Sequence, residues 1–198
     1  LANMVGNLGQ TVVLATMHGK RHKANIIQQQ VLALDFDNAP TGKKTKLEGE
    51  SYQSYKNIKE HEFIQQYGSF MYKTFSHSDE WEKFRVVFVL DTPLYSAEEV
   101  RNAYKYLLEK FPHADQKIKD CSRLFMGGRV SEEINYNNKL PINLFQSSGI
   151  TNKHDSTLNN QDYLQSVGTH LPTYKLIKQG RFKEVSERWK KYGDMNFP

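Results

Sequence analysis

Apolar residues fall along this chain in short blocks, and their rhythm predicts where strands and helices lie. The segment Ala24 to Leu34 ends in the unbroken run Val31-Leu32-Ala33-Leu34, which reads as a buried strand delivering Asp35 at its end. Phe70 to Phe75 alternates enough to predict another strand. Arg85 to Leu90 is nearly all apolar, the pattern of a strand covered on both faces. Ile58 to Tyr67 predicts a short helix. The clearest helix opens at Ser96, because Ser96 and Glu99 form a capping box in which each side chain satisfies a backbone N–H of the first turn. Ala97, Val100, Tyr104, Leu107, Leu108 and Phe111 follow at helical spacing on one face, and Pro112 ends the run.

Further on, Ser122 to Gly127 predicts a short strand before a Gly-Gly break. A last helix, about Gln179 to Tyr192, carries Phe182, Val185, Trp189 and Tyr192 on one side. Between these blocks, Asn38 to Tyr55 is rich in Pro, Gly, Lys, Ser and Thr and is expected to be an exposed, mobile connection. Asn135 to Asn160 is polar and turn-rich. Strands and helices alternate without a regular βαβ rhythm, which favours an α+β fold over a doubly wound sheet.

The charge pattern adds a partner class. The formal net charge is +5. Lys175, Lys178, Arg181, Lys183, Arg188, Lys190 and Lys191, offset by Glu184 and Glu187, carry seven minus two, so the rest of the chain balances to zero. The excess is a feature of the tail, and it suits either a polyanion or a solvated charged helix. The organisation expected is therefore one domain over residues 1–174, followed by a basic helix at 175–198 leading to a further domain. A start at Leu1 points the same way, to a longer parent protein. A single cysteine, Cys121, excludes an intrachain disulfide and any zinc site built on several thiolates, and it fits a reducing, cytoplasmic setting. No apolar run approaches the roughly 20 residues needed to cross a bilayer, so no membrane partner is expected.

Leu34-Asp35-Phe36-Asp37-Asn38 is the sharpest chemical feature. Alternate residues on a strand share a face, so Asp35 and Asp37 converge while Phe36 turns into the core. Two carboxylates held together repel, and a hard cation such as Mg²⁺ or Mn²⁺ relieves the repulsion. The same Asp-x-Asp pattern occurs in sugar-nucleotide transferases and at solvated strand ends. Ser76 and His77 stand where a strand gives way to a polar loop. Lys83 and Arg85 follow, and cations beside an imidazole suit a triphosphate. Arg85 opens a buried strand and so needs a partner, either a bound phosphate or an acidic neighbour such as Asp115. Asp115 and Asp120 bracket a short basic turn before Arg123.

In this order the elements resemble the archaeo-eukaryotic primase superfamily, in particular the primase-polymerase domains of phage, plasmid and other mobile-element replication proteins. Leu-Asp-Phe-Asp matches the acidic pair of that superfamily. Thr-Phe-Ser-His-Ser, with Lys-Phe-Arg-Val-Val-Phe after it, resembles its Ser-x-His element, although here Ser76 directly precedes His77. Asp115, with Ser-Arg-Leu-Phe just beyond, resembles the later acidic motif, and Asp120 is its rival. The match spans roughly Lys20 to Arg129.

The resemblance implies an RRM-like palm, a mixed and largely antiparallel sheet flanked by helices. It implies Asp35, Asp37 and Asp115 as catalytic ligands of two Mg²⁺ or Mn²⁺ ions. Ser76, His77, Lys83, Arg85 and Arg123 would contact the nucleoside triphosphate. Single-stranded or primed DNA would be the template, and a helicase domain would follow in the same protein. Lys178, Arg181, Arg188, Lys190 and Lys191 are the candidate DNA contacts of the tail. The main rival is a catalytically silent primase-like module that only binds DNA during replication initiation.

Overall fold

The computed structural model describes residues 1–40, 43 and 45–146. Its elements are a π-helical turn at Asn3–Asn7, then β1 (Val12–Val13), β2 (Ala15–Met17), β3 (Ile26–Phe36), α1 (Tyr55–Glu60), α2 (Glu62–Tyr67), β4 (Gly68–Thr74), β5 (Phe84–Leu94), α3 (Ala97–Lys110), β6 (Leu124–Phe125), β7 (Gly128–Glu133) and α4 (Asn143–Gln146). Five strands join into one antiparallel sheet in the order β2-β3-β5-β4-β7, and β1 pairs with β6 as a separate ribbon. The fold is α+β.

Register decides what each face of the sheet carries. Asp35 pairs with Arg85 and Phe36 with Phe84 across β3 and β5. Alternation therefore puts Leu32, Leu34 and Phe36 on one face with Phe84, Val86 and Phe88. That face meets the helices. Phe36 stacks on Phe84 at 5.1 Å, Phe111 meets Phe36 edge-on at 6.2 Å, and Phe63 of α2 meets Phe88 edge-on at 6.2 Å. All of these side chains but Phe63 are buried, and their burial is the largest favourable term in the fold.

The opposite face carries Ala33, Asp35, Arg85, Val87, Phe70 and Tyr72. The N-terminal turn packs on its β4–β7 side, where a Cβ on Gly6 would come within 2.3 Å of the Ser131 Cβ. Only a glycine permits that approach. The β1–β6 ribbon lays Phe125 against Arg85, with the guanidinium carbon 5.5 Å from the ring centroid.

β2 pairs with β3 only at Ile26, Gln28 and Gln29, so the outer edge of β3 needs other partners. The Tyr104 hydroxyl accepts from the Ala33 amide at 3.4 Å, and the Asp115 amide donates to the Asp35 carbonyl at 2.8 Å. Covering an edge with a helix and a turn prevents further strand pairing there. It also carries Asp115 to Asp35.

The capping box at Ser96 and Glu99 forms as the sequence predicts, and α3 buries Val100, Ala103, Tyr104, Leu107 and Leu108. The helix expected over Ile58 to Tyr67 is two helices instead. His61 has extended backbone (φ −63°, ψ 129°), and its Nδ1 accepts from the Phe63 amide at 3.1 Å, ending α1 and capping α2. The segment expected to be a mobile connection is anchored at its start. Asn38 is buried, donates from its side-chain amide to the Gln53 and Glu82 carbonyls at 2.8 Å, and accepts from the Gln53 amide at 2.8 Å. Its φ of +48° is one that Asn tolerates better than most residues.

Among the described residues no helix is long and apolar enough to cross a membrane. The predicted helix at Gln179 to Tyr192, its cations Lys178, Arg181, Arg188, Lys190 and Lys191, and the boundary at 174/175 lie outside the described residues.

Candidate functional site

Asp35, Asp37 and Asp115 come together at the end of β3, each offering a carboxylate oxygen within 4.8 Å of the other two. β3 supplies Asp35 as its penultimate residue, and Asp37 follows two residues later on the same side. The loop after α3 supplies Asp115 through its amide bond to the Asp35 carbonyl. Asp115 is further fixed by a turn of its own, in which its Oδ1 accepts from the Lys117 amide at 3.0 Å.

Two guanidinium groups hold this cluster. Arg85 donates from Nη2 to Asp35 Oδ2 at 3.0 Å, and from Nη1 to the Tyr72 hydroxyl at 3.0 Å and the Met126 carbonyl. Asp35, Arg85 and Tyr72 are register partners on three adjacent strands, so they form a row across the sheet. Arg123 pairs with Asp115 Oδ2 at 3.0 Å and lies 3.7 Å from Asp35 Oδ2. Counted as fully ionised, three carboxylates against two guanidiniums leave one negative charge without a counter-ion.

Burial dominates the titration of Asp35. It pushes the carboxyl above the ordinary carboxylate range; the Arg85 charge pulls it down, and the neighbouring Asp37 pushes it further up. Asp35 Oδ1 is buried and has no hydrogen-bond partner among the described residues. A buried carboxylate oxygen without a hydrogen-bond partner, beside two further carboxylates, is the kind of donor that Mg²⁺ and Mn²⁺ favour. The residues present fit a divalent ion, with Asp35, Asp37 and Asp115 holding it.

The other residues singled out in the sequence make contacts of their own. Asp120 is not part of it: its Oδ1 accepts from the Ser122 amide at 2.8 Å and the Ser122 hydroxyl at 2.9 Å, so this carboxylate caps a turn. His77, Ser76 and Lys83 lie on the adjoining β4–β5 connection. That connection touches the cluster through Trp81, whose Nε1 donates to the Asp37 carbonyl at 2.9 Å. His77 Nδ1 lies 3.0 Å from the Lys83 amide and 3.2 Å from the Lys83 carbonyl, so this nitrogen is engaged by the backbone of Lys83. Burial, and next the Lys73 charge, lower the pKa of His77. Ser76 is exposed, with its hydroxyl 3.4 Å from that of Thr74. The Lys83 ammonium sits 3.8 Å over the Trp81 ring.

Arg85 has partners other than those its sequence position suggests. Its acidic neighbour is Asp35, not Asp115, and it is 8% exposed with its Nη atoms engaged by protein groups. Sequence patterning gives no sign of Tyr72, Trp81 or Asn38 as supports of the site. The one available signal is an arginine opening an apolar strand, which requires a buried partner without naming it.

Compared with known proteins, the chain matches no family model, no curated protein and no solved structure.

Proposed function

We propose that this chain is the catalytic domain of a primase-polymerase, a template-dependent nucleotidyltransferase of a mobile-element replication protein. One observation carries the reading: three aspartates from two separate segments meet within 4.8 Å, one of them with a buried, unpartnered oxygen. A structural role rarely gathers like charges this way, whereas nucleotidyl transfer requires it. The antiparallel sheet with an acidic pair at the end of a strand is consistent with an RRM-like palm.

In this reading Asp35, Asp37 and Asp115 hold two Mg²⁺ or Mn²⁺ ions. When bound, these would activate the primer 3′-hydroxyl and neutralise charge on the triphosphate and the departing pyrophosphate. Arg85 acts on the protein side, fixing the Asp35 carboxylate through one oxygen so that the other faces the cluster. Arg123, half-buried at the rim, exchanges Asp115 for triphosphate oxygens. His77 presents Nε2 to a phosphate, because Nδ1 is already engaged by the Lys83 backbone. Lys83 and Ser76 flank the same turn. Most of the rate gain in such a site comes from positioning and electrostatic stabilisation. DNA, single-stranded or primed, is the template, nucleoside triphosphates are the substrates, and a helicase domain follows in the full-length protein.

The competing reading is a silent primase-like module that binds DNA without catalysis. Arg123 favours it, since a guanidinium bridging Asp35 and Asp115 stands where a cation would be attracted. Incorporation of labelled nucleotide on a primed template, with Mn²⁺ titrated, separates the two. Incorporation that rises with Mn²⁺ supports the enzyme, and none at saturating Mn²⁺ leaves the silent module.

A further inference from the structure

Two turns that are far apart in sequence lie side by side next to the carboxylate cluster, and both are basic. The first, 18–25, contains Lys20, Arg21 and Lys23 and no acidic residue. The second, 116–123, contains Lys117 and Lys119, with Asp120 as its one acid and Arg123 turned to the carboxylates. They are joined by a bond from Arg21 Nη1 to the Ser122 carbonyl at 2.7 Å, and Cys121 Sγ lies 4.0 Å from the Lys23 carbonyl. Lys20, Arg21, Lys23, Lys117 and Lys119 are all exposed.

Five cations less Asp120 give this ridge +4, while the chain outside 175–191 sums to zero. The other described residues carry 13 Lys and Arg against 16 Asp and Glu, a net of −3. Positive charge is therefore concentrated on these two turns, the second of which begins beside Asp115.

We infer that this ridge is a docking surface for the phosphate backbone of single-stranded nucleic acid. Several features fit that occupant. The cations sit on two irregular turns, a path that a bendable single strand follows more easily than a stiff duplex. None of the exposed large apolar side chains among the described residues lies on either turn, so nothing here would insert into a bilayer. The ridge is continuous with Asp115, whose amide is bonded to Asp35, so a strand lying on it passes beside the carboxylates. The inference takes its orientation from the nucleotidyl-transfer reading, while the ridge itself stands on charge and placement.

The test uses the full chain and a labelled oligothymidylate in chelator, so that nucleotidyl transfer plays no part in the outcome. Lys20, Lys23, Lys117 and Lys119 are changed together to Gln, which keeps the Arg21–Ser122 bond that ties the turns. Removing one lysine–phosphate pairing lowers the slope of log affinity against log salt by about 0.7 for a single strand, so the quadruple variant is expected to lose up to about three units of slope. Affinity at low salt falls with it. Lys117→Gln with Lys119→Gln alone, a pair confined to one turn, is expected to lose about half as much. An unchanged slope in either folded variant overturns the ridge and assigns binding elsewhere. A duplex of equal length that binds as tightly as the single strand overturns the choice of occupant.

Discussion

The backbone amide of Asp115 donates to the backbone carbonyl of Asp35 at 2.8 Å, and this one bond joins the two halves of the acidic cluster. It satisfies an edge group of β3 that β2 does not reach, so the same bond completes the sheet and assembles the site. Because it is made by main chain, side-chain substitutions at either position leave it in place.

Substitutions at the three aspartates are expected to differ in stability as well as in metal binding. Asp35 is the counter-ion of buried Arg85, so Asp35→Ala strands that charge, with an expected loss of about 3–5 kcal/mol. Asp37 and Asp115 are only partly buried, and Asp37→Ala relieves repulsion with Asp35. In chelator Asp37→Ala is expected to melt at or above the wild-type temperature, and Asp35→Ala well below it. Equal melting of the two variants would contradict the ion-pair geometry.

The pH dependence of Asp35 has an unusual sign. Its folded pKa is raised, chiefly by burial, so the folded state holds the proton more tightly than the unfolded chain. Stability from this group is then greatest in acid and is lost as pH rises through the raised folded value. In chelator, the deficit of Asp35→Asn relative to wild type is expected to be largest in acid and to shrink toward neutrality, as read from urea unfolding at a series of pH values. A deficit that grows toward neutrality would mean that the Arg85 attraction outweighs burial.

Arg123 touches two of the three proposed ligands and so competes with any cation they bind. Arg123→Gln is expected to tighten Mn²⁺ binding in the absence of nucleotide by on the order of tenfold, and to weaken binding of a nucleoside triphosphate at saturating Mn²⁺. Mn²⁺ affinity from the paramagnetic resonance signal of the free ion reads the first effect. Unchanged or weaker Mn²⁺ binding would show that Arg123 is no competitor.

The parts legible in the sequence are those set by local pattern. The capping box at Ser96, the inward turn of Phe36 and the buried strands through Leu34 and Val86 all follow from spacing alone. β1 and β2 have two and three residues, too few for a period to show. β7 is an edge strand with most of its side chains exposed, so Arg129, Glu132 and Glu133 hide it. The break at His61 depends on a ring nitrogen capping the next helix, which no apolar pattern encodes. Asn38 reads as the start of a loose loop because Asn marks turns. Its three side-chain hydrogen bonds reach residues 15 and 44 positions away, and such bonds exist only once the chain has folded.

The metal centre proposed at Asp35, Asp37 and Asp115 has to bind a divalent ion and receive a nucleotide on it. A crystal soaked with Mn²⁺ and a non-hydrolysable nucleoside triphosphate reads both at once, through the anomalous signal of manganese. Manganese is expected among these three carboxylates, with the triphosphate seated on it and Arg123 turned from Asp115 to phosphate. Manganese bound elsewhere, or a triphosphate seated away from the three aspartates, would contradict the proposed centre.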